Sequence, residues 1–288
     1  MSQSRNRWIV RIILALAVTA FVGVSVIPII SAINNPSPSN QNAASTSSTV
    51  PSDQLSKLQD EVRGYELVLQ REPENQTALN GLLQARLQLL SLKQGDIQGV
   101  IEPLEKLAKL NPQQSEYGVL LAQAKQQMGD LEGSAQAYRS ILDTKPGDLK
   151  ALQGMVALLL DQQRPEAAIG LLEDTLSNAD QVNKIQPASV DAVAVQVLLG
   201  TVHASQKRYP QATSVYDQAI KKDPQDFRPV LAKAMLFREQ GKVEEAKPLF
   251  DSAVALAPAQ YKDEINRAAA TPTPAPAPAE SPSTPSEE

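Results

Sequence analysis

Catalysis and metal binding need particular side chains, and this 288-residue sequence supplies few of them. His203 is its only histidine and there is no cysteine. A disulfide, a thiolate zinc site, a cysteine nucleophile and a pair of histidine ligands are therefore all excluded. A single histidine within an apolar stretch is read as a packed side chain rather than a general base. Gly95 and Gly99 come nearest to a phosphate-binding loop, yet they lack the following Lys-Ser/Thr and a preceding strand. Glu244, Glu245 and Asp223 fall where helices start or end, and capping or solvation explains them. Asn75-Gln76-Thr77 spells a glycosylation sequon, a three-letter match that arises readily by chance. No catalytic, cofactor-binding or metal-binding residue and no small-molecule substrate is expected, so the sequence reads as a non-enzyme.

The elements that would position any site are helices. Hydrophobic residues make up 42% and aromatic residues only 4% of the chain, a balance that suits stacked helices better than a sandwich or barrel. The formal net charge of −5 argues against a nucleic-acid partner. The clearest order lies in 193–258, where one pattern occurs twice. Ala212, Tyr216, Ala219 and Pro224 recur as Ala246, Phe250, Ala253 and Pro258, each 34 residues on. Alanine lets two antiparallel helices approach, the aromatic one turn later fills the space beside it, and proline ends the unit. Further prolines at 73, 112, 146 and 187 mark units of uneven length.

This period, with its small–aromatic–small spacing and terminal proline, resembles the tetratricopeptide repeat (TPR). The resemblance implies an all-α fold, a solenoid of helical hairpins that bury their apolar faces by stacking. About five pairs are expected over 55–270, led by a helix at 55–71 with Leu58, Val62, Tyr65 and Leu69 on one face, and closed by a capping helix near 260–270. A lengthened first helix at 78–92 is expected to end on Gly95, 180–187 is expected to be an inserted loop, and Thr175 replaces a small apolar residue. In such proteins the first helices of the repeats line a concave groove that holds a peptide. Carried onto this sequence, the groove comprises Val119, Gln123, Gln153, Ala157, Val197, Thr201, Leu231 and Met235. The Lys/Asn/Arg clamp by which TPR co-chaperones grip a terminal carboxylate is absent, so a protein or peptide segment of apolar character is the implied partner. The rival reading is that several of these residues merely pack between repeats.

The two ends of the chain differ from this block. Residues 1–11 carry Arg5, Arg7 and Arg11, and 12–33 is a run of 22 residues without charge. A helix of that length extends about 33 Å, enough to cross a hydrocarbon core of about 30 Å. It exceeds the ~7–15 apolar residues of a cleaved signal peptide, and Ser31-Ala32-Ile33 is a poor cleavage site. The expectation is a single retained transmembrane signal anchor. Its basic flank keeps the N-terminus in the cytoplasm and places the TPR domain on the far side, in a periplasm or lumen. Residues 34–54 read as a flexible Asn/Ser/Thr/Pro tether and 271–288 as a Pro-rich tail without a fold. The layout resembles that of anchored TPR proteins of bacteria, cyanobacteria and plastids. It implies a membrane scaffold that assists assembly of membrane complexes or, alternatively, a chaperone-like binder of unfolded or exported chains. A third reading gives the tail or tether a role in the cell envelope.

Overall fold

The computed structural model describes residues 52–270. The segments 1–11, 12–33 and 271–288 and nearly all of the tether lie outside the described residues. Among the described residues there are twelve helices and no strand, and no helix is long and apolar enough to cross a membrane. By contacts the chain forms two compact units, whose described parts are 52–195 and 196–270.

The first unit opens with α1 (Ser52–Arg71) and continues with three hairpins: α2 (Gln76–Ser91) with α3 (Gln98–Leu110), α4 (Ser115–Gln127) with α5 (Leu131–Thr144), and α6 (Leu149–Asp161) with α7 (Pro165–Ile185). Each helix packs on the next, and α4 also packs on α6. The core is almost wholly aliphatic, with Leu79, Leu104, Leu107, Leu152, Leu158 and Leu172 sealed from solvent. α8 (Ala192–Ser205) spans the boundary between the units. The second unit holds α9 (Tyr209–Lys222), α10 (Phe227–Glu239), α11 (Val243–Leu256) and α12 (Ala259–Ala270). Ala212, Tyr216 and Ala219 are buried there, as are Ala246, Phe250 and Ala253. α12 seats Ile265 in the last apolar cluster and stacks Tyr261 on Phe227 with ring centroids 5.3 Å apart. Its polar residues Asp263 and Arg267 remain exposed.

The hairpins share their turns. All five first helices (α2, α4, α6, α8, α10) end on a left-handed residue: Lys93, Gly129, Gln163, Lys207 and Gly241. In each, the left-handed residue and its successor donate their N–H groups back into the last turn, as Lys207 does to Ala204 O and Arg208 to His203 O. The expected terminator Gly95 is thus displaced by Lys93, two residues earlier, which closes α2 at φ 58°. At three of the five junctions between repeats, the residue two after the proline caps the next first helix, and after Pro187 the cap is Asp191, which accepts from Ala194 N. Asn75 accepts from Ala78 N, Asp148 from Ala151 N and Asp226 from Arg228 N. The sequon asparagine is therefore a helix cap. After Pro112 the corresponding residue is Gln114, which makes no side-chain cap bond.

Two further boundaries differ from expectation. α1 starts at Ser52 instead of 55, with Asp53 in its first turn. The segment 180–187 is not a loop through most of its length, because α7 runs 21 residues to Ile185. Buried Ala179 continues the apolar face of Ala168, Leu172 and Thr175, and the Thr175 hydroxyl donates to Leu171 O, so its polar group is satisfied. The side chain of Asn183 then accepts from Val190 N and donates to Val190 O, folding the chain back. The returning backbone passes Gly147 so closely that a Cβ there would collide with Ser189 O.

Candidate peptide-binding faces

In the first unit the first helices are linked to one another directly. Tyr117 on α4 donates to Asn80 Oδ1 on α2 at 2.9 Å. Lys150 on α6 lies 3.6 Å from Glu116 on α4, and Ser115 donates to Asp148, which also caps α6. On this face Gln123 is exposed, while Val119, Gln153 and Ala157 are half-buried. Asn80 and Tyr117 belong with them and were not reached from the sequence. Spacing from the helix cap is the signal that could have found Asn80. Asn80, Val119 and Gln153 each stand five residues past their cap positions, Asn75, Gln114 and Asp148.

The other four residues fall in the second unit. Val197 is half-buried. Thr201 is buried, donating to Val197 O and lying 3.3 Å from the Tyr216 hydroxyl. Leu231 is buried and Met235 half-buried, both packed with Phe227, Tyr261 and Ile265 around a cavity of about 20 Å³. These two side chains meet the capping helix. His203 is buried in α8.

A second regularity concerns the tyrosines of the second helices. Tyr65, Tyr138 and Tyr216 are each followed 16 residues later by a small residue on the next first helix: Gly81, Gly154 and Ala232. A Cβ on Gly81 or Gly154 would collide with the Tyr65 or Tyr138 ring, and Ala232 packs against the cluster that holds Tyr216. Burial pushes the Tyr138 hydroxyl up to about 12 and raises that of Tyr216 further, partly offset by its bond to Thr201. Among the described residues, no group of three His, Cys, Asp or Glu side chains could hold a metal ion.

Comparison with known proteins agrees with this architecture. Models of the tetratricopeptide repeat match residues 154–227 and 191–264. It is similar to the protein SLOW GREEN 1, chloroplastic, of Arabidopsis thaliana, 29% identical over 197 residues that cover 68% of this chain and 60% of that protein. It is also similar to cellulose synthase operon protein C of Pseudomonas fluorescens (strain SBW25), 28% identical over 153 residues, 53% of this chain and 12% of that protein. The chain thus spans less than two thirds of either relative. The crystal structure of yeast Tom70 superposes with a TM-score of 0.50 at 14% identity, covering 88% of this chain and 45% of that one, a likeness of fold.

Proposed function

We propose that this protein is a non-enzymatic TPR scaffold, anchored in a membrane by residues 12–33, that holds a protein partner on the first-helix faces of its repeats and assists the assembly of membrane complexes. The observation that carries the reading is the α2, α4 and α6 face. It is built by linked helices, and its charged pair Glu116 and Lys150 is internally matched. The uncharged run of 22 residues behind three arginines supports the anchor, with the N-terminus cytoplasmic and the repeats in a periplasm or lumen. Similarity to a chloroplastic protein of Arabidopsis favours a plastid or bacterial setting. A chaperone-like binder of unfolded or exported chains is the second reading. It is favoured by exposed Leu87 and Leu120 on first helices.

The test is mild detergent extraction of membranes carrying the full chain, affinity purification and mass spectrometry, with protease protection on sealed vesicles. One stoichiometric membrane complex supports the scaffold, whereas many unrelated exported chains support the chaperone. Extraction by salt alone, or digestion of the repeats from the cytoplasmic side, overturns the anchor or its orientation.

A further inference from the structure

In the first unit α3 and α5 each pack between two first helices, whereas α1 packs on α2. Tyr65 meets Gly81 as Tyr138 meets Gly154, which sets α1 in register with the second helices. Three residues past that tyrosine α5 buries Ile141, and Ile141 lies against Gly118 of α4, its own first helix. The counterpart on α3, Leu107, is sealed from solvent, but Val68 on α1 is 40% exposed. Leu67 beside it, 61% exposed, stands where α3 and α5 carry the polar Lys106 and Ser140. One turn earlier, Gly64 has nothing within 4 Å of its would-be Cβ, an open dent at a cost in helix propensity. Gly64, Leu67 and Val68 thus mark the flank that a first helix covers on α5.

The sequence before α1 offers no such helix. Residues 34–51 have Ala43, Ala44 and Val50 as their apolar side chains and prolines at 36, 38 and 51, with no apolar stripe at helical spacing. The apolar run 12–33 belongs to the membrane in the reading above, on which this step rests. We propose that two copies of this chain pair through α1, antiparallel about a two-fold axis, so that each α1 serves the other as a first helix. With Leu67 of each copy seated in the Gly64 dent of the other, Asp60 falls opposite Arg71 of the second copy. A parallel pair would instead oppose Asp60 to Asp60 and Arg71 to Arg71, so charge selects the antiparallel arrangement. Asp60 bonds Arg63 along its own helix yet is 68% exposed, open to that second contact. A two-fold contact uses one patch twice and closes, giving dimers and not filaments.

The full chain in mild detergent is followed by analytical ultracentrifugation over a concentration series. A monomer–dimer equilibrium is expected, weakened at least about tenfold by Leu67→Lys, which acts twice in a symmetric pair. The melting temperature stays unchanged, because that side chain is exposed. Asp60→Arg and Arg71→Asp each weaken pairing, and their equimolar mixture restores it, since reversed charges then meet their opposites. A monomer at every concentration, a dimer indifferent to Leu67→Lys, or a mixture that stays monomeric overturns the inference. The chain has no cysteine, so Val68→Cys can carry a photocrosslinker in membranes. A product of two copies supports the pairing. An adduct with another protein overturns it and leaves the anchor standing, whereas an adduct with 12–33 of the same chain overturns both.

Discussion

At the scale of single residues, close approach decides which substitutions are tolerated. Gly154→Ala places a methyl against the buried Tyr138 ring, and an overpacking cost of about 1–3 kcal/mol outweighs the helix-propensity gain of up to about 1 kcal/mol. Gly170 in α7 has nothing within 4 Å of its would-be Cβ. Thermal melts should therefore show Gly154→Ala less stable and Gly170→Ala more stable than the parent. Ser134 is fully buried and its hydroxyl has no partner. Ser134→Ala is expected to raise the denaturation midpoint by the equivalent of about 1 kcal/mol. The tyrosines set an alkaline limit. An unfolded tyrosine ionises near pH ~10, while folded Tyr138 holds its proton to about 12. The folded state then binds more protons than the unfolded one in that window. Stability is fully present below the lower value and falls as pH rises through the upper one. Denaturant midpoints measured across this range should fall, and less steeply in Tyr138→Phe.

At the scale of elements, the ends of helices are where the sequence and its fold can be tuned apart. Lys93, Gln163 and Lys207 hold left-handed conformations that cost a side chain about 1–2 kcal/mol, so Lys207→Gly is expected to gain up to about 1 kcal/mol in chemical denaturation. Gln114→Asp should install the missing cap of α4, gaining about 0.5–1 kcal/mol. Failure of both to stabilise would mean that hairpin packing, not turn chemistry, sets these ends. The hairpins themselves were legible because Ala212, Tyr216 and Ala219 repeat at 34 residues as Ala246, Phe250 and Ala253. Their ends were less so. Gly95 looked like the terminator of α2 because glycine adopts positive φ without cost, but the apolar face of α2 stops at Leu89 and puts Lys93 there instead. The length of α7 was hidden because its added turns carry a single buried side chain, Ala179. The contacts of Tyr65 with Gly81 and of Tyr138 with Gly154 were hidden too, since the partners straddle the proline that divides repeats.

At the scale of the whole molecule, four of the eight residues expected to line the groove lie in each of the two compact units. Leu231 and Met235 are there packed toward α12. Period alone identifies first helices. It does not reveal which of their side chains a terminal helix covers. The tyrosine spacing also bears on how such a chain could be lengthened or shortened. Tyr138 and Gly154 form a lock with its two halves on opposite sides of Pro146. Cutting at the prolines, as the repeat pattern invites, would separate Tyr65 from Gly81 and Tyr138 from Gly154. A segment that can be duplicated or transplanted without leaving a misfit joins a second helix to the first helix after it, from Leu131 to Asp161, so the unit of exchange is offset by half from the unit of repetition.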